Sequence, residues 1–93
     1  MNSKQIVKLK IYGRVQGVGF RISAKEQADA MGITGWITNT PGDTIECRAC
    51  GNAPSLDKFL AWCKHGPKWA NVEKVEVLPD DNQCPDQDFR VVY

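Results

Sequence analysis

Hydrophobic residues recur along this chain with two different periods, and the switches between them mark out its elements. Val7, Leu9 and Ile11 alternate with Lys8, Lys10 and Tyr12, the period of a half-buried strand over residues 5–12. From residue 20 the period lengthens: Phe20, Ala24, Ala28 and Met31 share one side of a helix, with Lys25, Glu26 and Asp29 on the other. Gly32 suits the left-handed residue that closes such a helix. Alternation resumes over residues 34–39, breaks at Thr40-Pro41-Gly42-Asp43, which reads as a hairpin turn, and returns over 44–50. Asn52 or Ser55 can then cap a second helix that tolerates Pro54 in its first turn, and Leu56, Phe59, Leu60 and Cys63 form its core stripe. Gly66-Pro67 stops that helix, Val75 and Val77 alternate with Lys74 and Glu76 in a fourth strand, and residues 79–87 form a loop rich in Pro, Asp and Asn. Phe89, Val91 and Tyr93 make a short fifth strand.

Strand, helix, strand, strand, helix, strand plus one further strand is an α+β pattern. Two split βαβ units of this kind predict a ferredoxin-like two-layer α/β sandwich, with two helices on one face of an antiparallel sheet. No internal repeat, low-complexity tract or linker interrupts the pattern, and 93 residues suit one domain spanning 1–93.

Charge narrows the function classes. Twelve basic against eleven acidic residues leave a net charge of +1, without the basic excess of a general nucleic-acid or membrane binder. Lys8 and Lys10 interrupt the first apolar segment, so it forms no signal-peptide core, and the expected location is the cytoplasm. Cys47, Cys50, Cys63 and Cys84 could be disulfides, a metal site or packing residues. Cys47 and Cys50 form a CxxC, but the strand pattern sends their side chains to opposite faces, and no second pair follows. In a reducing compartment the expected role of all four is that of small buried apolar residues. His65, the only histidine, sits near a helix end and reads as structural, and Trp36, Trp62 and Trp69 read as packing residues.

The chemistry concentrates between the first strand and the first helix, in Gly13-Arg14-Val15-Gln16-Gly17-Val18-Gly19-Phe20-Arg21. Gly17 and Gly19 let the backbone turn its N–H groups inward on an oxyanion, and a helix starting near Phe20 adds its unsatisfied first-turn N–H groups. Arg21 in that first turn opposes the helix dipole, a placement that suits a bidentate clamp on phosphate or carboxylate. The bland alternative is a surface turn with an incidental arginine. The spacing excludes a Walker-type loop and a dinucleotide fingerprint, and the segment offers no covalent nucleophile and no carboxylates to hold magnesium. What remains is catalysis by binding and orientation, which phosphoryl transfer permits. With no evident general acid, the site favours a leaving group that departs unprotonated, such as the carboxylate of an acyl phosphate. Asn39, beside the hairpin, is a candidate to orient water, since its amide both donates and accepts; its other role would be that of a turn residue.

The segment from Gly13 to Arg21 resembles the first signature of the acylphosphatases, and Gly35-Trp36-Ile37-Thr38-Asn39 resembles the second. The resemblance implies a ferredoxin-like sandwich that hydrolyses acyl phosphates to a carboxylate and inorganic phosphate with no metal and no cofactor; the expected form is a monomer, and the charge balance points to no nucleic-acid or membrane partner. The resemblance also implies that Arg21 binds the phosphoryl group together with backbone N–H groups of Val15, Gln16, Gly17, Val18, Gly19 and Phe20, that Asn39 positions the attacking water, and that the substrate helps remove the water's proton. Thr38 stands where the family often has lysine or arginine, Gly42-Asp43 where it commonly has Asp-Gly, and the four cysteines match no family motif. The rival is a non-catalytic regulatory module that binds an anion and releases it unchanged. Such a module has no need of a water-orienting amide at Asn39.

Overall fold

A computed structural model describes residues 4–80 and 84–93 of the chain. The elements run β1 (Gln5–Arg14), α1 (Phe20–Met31), β2 (Thr34–Thr40), β3 (Thr44–Gly51), α2 (Ala53–Cys63), β4 (Asn71–Pro79) and β5 (Phe89–Val92). The sheet order is β4-β1-β3-β2-β5. Period-two alternation turns Leu9 and Ile11 of β1, Ile37 of β2, and Ile45 and Cys47 of β3 into one buried cluster. Phe20, Ala24 and Ala28 of α1 and Leu56, Phe59 and Cys63 of α2 enter that same cluster, so both helices cover the same face of the sheet. Three phenylalanines, Phe20, Phe59 and Phe89, are its largest fully buried side chains. Each contributes roughly 1.5–3 kcal/mol by leaving water.

The helix ends follow their sequence signals. Asn52 caps α2, its side chain accepting from the Ser55 N–H at 2.9 Å, with proline in the first turn. Gly32 closes α1 in the left-handed conformation, φ 70°. The fourth strand is longer than its two valines indicate, because its alternation is diluted by exposed Val77 and Leu78 at the sheet edge.

Two expectations need correction. The sheet is antiparallel from β4 through β2, but β5 pairs with β2 in parallel, Gly35 opposite Phe89 and Thr38 opposite Val92. The period-two pattern of residues 89–93 specifies a strand but not its direction. That direction is fixed because β4 lies at one edge of the sheet and β5 at the other, so the chain crosses the whole sheet between them. Of the expected loop 79–87, residues 81–83 lie outside the described residues. The second correction concerns sulfur: Cys47 and Cys63 are free and buried, but Cys50 and Cys84 form a disulfide with Cα atoms 6.1 Å apart. Cys50 does face away from Cys47, as the alternation requires, and there it meets the crossing segment. Arg48, on the same face of β3, forks onto Asp86 at 2.9 and 3.0 Å, so residues 84–88 are held to the sheet by a covalent bond and a bidentate ion pair.

Candidate active site

The loop from β1 to α1 hangs between two apolar pegs. Val15 and Phe20 are each 1% exposed, and the Phe20 ring lies 5.3 Å from that of Trp62. Between them the backbone turns through Gly17 at φ 74° and Gly19 at φ 76°, left-handed values that a β-carbon disfavours. A β-carbon at either would meet nothing within 4 Å, so these glycines serve backbone conformation, and the mouth of the loop is open. Val18 is half-buried against the core. Gly19 is the N-cap of α1 and supplies no side-chain acceptor, and no acidic residue follows in the first turn. The first-turn N–H groups therefore lack the side-chain partner that usually satisfies them, an arrangement that can accept an anion at the positive end of the helix.

Arg21 lies in the first turn of α1. Its Nη1 donates to the Val92 carbonyl at 3.5 Å, a long bond, and its guanidinium lies 4.7 Å from the Tyr93 ring. Among the described residues no carboxylate pairs with it. Sequence reasoning did not foresee Val92 or Tyr93 as its neighbours. No local signal carries that contact, which spans 71 residues.

Asn39 lies opposite Ile45 in the β2–β3 ladder and shares the helix-covered side of β2 with fully buried Ile37. Its Oδ1 is buried, with no hydrogen-bond partner among the described residues. A carbonyl left so costs roughly 1–3 kcal/mol unless water or ligand satisfies it. The unusual turn does not disturb its register: pairing continues to Thr40 opposite Thr44, with Gly42 and Asp43 both left-handed at φ 86° and 61°. Gln16 joins the hairpin to the loop, its Nε2 donating to the carbonyls of Thr40 at 2.9 Å and Thr44 at 2.8 Å. The fold thus brings the two halves of the expected site together. Thr38 is half-buried, its hydroxyl donating to the Asn39 carbonyl at 3.4 Å.

Other candidates fall away. Burial pushes the Cys47 thiol far above its ordinary range and that of Cys63 up to about 12, so neither supplies a thiolate nucleophile. His65 is exposed near the end of α2. Trp62 packs against Phe20 and Phe59, while Trp69 is 71% exposed and does not pack as expected. A cleft of about 320 Å³ on the face opposite the helices is lined by Trp36, Asp86, Arg90 and Val92 among others and includes none of the expected site residues. The loop before α1 is an open surface rather than a cavity. Among the described residues no group of three or more His, Cys, Asp or Glu is placed to hold a metal ion, and no helix is long and apolar enough to cross a membrane.

A two-helix, five-stranded ferredoxin-like sandwich with a glycine-turned loop at the start of its first helix defines the class of protein. The family model described as acylphosphatase matches residues 7–91. An acylphosphatase of Rubrobacter xylanophilus is 41% identical over 78 residues, covering 82% of this chain and 71% of that one. Another, of Methylococcus capsulatus, is 45% identical over 71 residues, covering 76% and 77%. The solved structure of an acylphosphatase from Coxiella burnetii superposes with a TM-score of 0.90 at 32% identity, covering 98% of this chain and 94% of that one. The chain belongs to the acylphosphatase family and is an enzyme of that hydrolase class.

Proposed function

We propose that residues 1–93 act as one domain that hydrolyses acyl phosphates to a carboxylate and inorganic phosphate without a metal or cofactor. Arg21 and the backbone N–H groups of residues 15–20 hold the phosphoryl oxygens, and the positive end of α1 stabilises the charge that spreads over them in the transition state. Asn39 orients a water in line with the bond to the acyl oxygen. The water oxygen attacks phosphorus, the bond between phosphorus and the acyl oxygen breaks, and the carboxylate leaves with that bond's electron pair, needing no general acid. The water's proton passes to a phosphoryl oxygen of the substrate, in keeping with a site that offers no general base. The observation that carries this reading is the buried Oδ1 of Asn39, without a partner among the described residues, on a hairpin tied to the phosphate loop. It favours the enzyme over a passive anion binder, which would need no such amide.

The balanced charge favours an enzyme with no nucleic-acid partner, and its proposed form is a cytoplasmic monomer. The Cys50–Cys84 bond weighs against the reducing compartment, and thiol trapping in freshly lysed cells decides between them.

The test is steady-state hydrolysis of benzoyl phosphate with and without a chelator. Turnover should survive the chelator. Asn39→Ala should lower kcat by about 10²-fold or more, as loss of a positioning group does, while inorganic phosphate still binds. Equal loss of phosphate affinity and kcat in Asn39→Ala would reject the division of roles between Asn39 and Arg21.

A further inference from the structure

Gln16 belongs to the phosphate loop by its backbone and to the hairpin by its side chain. Its Nε2 lies 2.9 Å from the Thr40 carbonyl oxygen and 2.8 Å from that of Thr44, so both amide hydrogens are engaged. These two residues are the last opposed pair of the β2–β3 ladder, and their hydroxyls are 2.6 Å apart. Asn39 immediately precedes Thr40. Among the described residues, the two Gln16 bonds are the side-chain hydrogen bonds that join the loop to the hairpin. Gln16 is half-buried and Thr44 buried, so water competes little for these bonds.

We propose that the Gln16 side chain is a positioning residue for hydrolysis. By fixing the hairpin to the loop it sets the separation between the anion cradle and the Asn39 amide, and through Asn39 the line of the water's approach to phosphorus. Misplacement of a reacting group by about 1 Å can cost 10²-fold in rate, so two bonds at the base of the hairpin are enough to matter. Phosphate binding itself depends on the loop backbone and Arg21, and does not need the hairpin at this distance. The inference rests on the water-positioning reading of Asn39.

The experiment is a double-mutant cycle on benzoyl phosphate hydrolysis, with inhibition by inorganic phosphate measured alongside. Gln16→Met preserves side-chain length without a donor. It should lower kcat by about 10-fold in the unmodified enzyme, change phosphate inhibition by less than about twofold, and lower kcat no further in Asn39→Ala. Gln16→Glu presents a carboxylate to two carbonyls near neutral pH and regains one donor when protonated. Its kcat relative to the unmodified enzyme should therefore recover as the pH falls through the carboxyl range, a signature that survives even if Gln16→Met does not fold. The same fold loss in both backgrounds, a matching loss of phosphate affinity, or no recovery of Gln16→Glu would each overturn the proposal. If Asn39→Ala keeps full kcat, the water-positioning reading fails and takes this inference with it. If Asn39→Ala loses kcat as expected and Gln16→Met does not, this inference fails alone.

Discussion

Arg21 and Arg48 place the same side chain in two opposite circumstances. Arg48 lies on the face of the sheet away from the helices, forked onto Asp86 at 2.9 and 3.0 Å and with its guanidinium 5.6 Å from the Trp36 ring centroid. Asp86 holds that guanidinium's pKa up, by the hydrogen bond first and by its charge after. Arg21 has a carbonyl at 3.5 Å and an aromatic ring, and among the described residues no carboxylate. The contrast extends to the surroundings. Around Arg48 the crossing segment is fastened by the Cys50–Cys84 bond, whereas α1, which carries Arg21, starts uncapped, and at the end of β2 the Asn39 Oδ1 has no partner among the described residues. A structural arginine has its partners inside the protein; a ligand-binding one has them outside.

The largest effect separates the two arginines directly. Arg21→Ala should lower kcat/KM for benzoyl phosphate by about 10³-fold and abolish phosphate inhibition, since it removes the proposed charged clamp on the phosphoryl group. Arg48→Ala should leave kcat/KM within about twofold and show its effect in thermal stability alone. Comparable kinetic losses in both variants would erase the distinction.

A second prediction attacks the strand that links the two regions. Gly35 of β2 sits at φ 140°, and a β-carbon there would lie 1.8 Å from the Arg48 carbonyl oxygen, a backbone atom that cannot rotate aside. Gly35→Ala should cost several kcal/mol, and the thermal midpoint should drop by well over 10 °C, as a change of roughly 1 kcal/mol moves a domain of this size by about 4–8 °C. A midpoint close to that of the unmodified protein would mean that β2 and β3 are not so closely apposed.

Reducing Cys50–Cys84 should come next. A cross-link between residues 34 apart constrains the unfolded chain by roughly 3–4 kcal/mol, so dithiothreitol should lower the melting midpoint by about 10 °C or more. The turnover of molecules still folded at 25 °C should be unchanged, because the bond fastens the region around Arg48. Loss of turnover without unfolding would tie the crossing segment to catalysis.

The smallest effect is a pH dependence. Burial raises the folded Cys63 thiol from 9.0 to about 12, and raises Cys47 in the same direction. A group whose folded pKa is raised gives stability that is complete below its unfolded value and is lost as pH climbs toward the folded one. Thermal stability should therefore decline between about pH 9 and pH 12, and both thiols should resist iodoacetamide at pH 8 in the native protein. Rapid alkylation under those conditions would contradict their burial.

Much of this was legible because short-range rules carry it. The periods of Val7-Leu9-Ile11 and Phe20-Ala24-Ala28 name their elements, Gly32 and Asn52 end or begin helices by local stereochemistry, and Gly17 and Gly19 mark the turning backbone before α1. Cys50 shows the limit: alternation correctly turned it away from Cys47 but could not say that Cys84 waits on that face. The direction of β5 was hidden for a similar reason, since a strand's side-chain pattern reads the same both ways along the sheet edge.

The sequence by itself determined the order of elements and the turning backbone of the loop before α1, and it named the two residues on which the proposed chemistry turns, because each is written in neighbouring side chains or in backbone freedom. Only the tertiary structure decided that Gln16 spans to Thr40 and Thr44, that Arg21 sits against Val92 and Tyr93 while Arg48 is claimed by Asp86, and that two of four cysteines are bonded. Those contacts join residues from 24 to 72 positions apart, and which of many chemically possible partners meet at such separations is set by strand order and register, not by local preference.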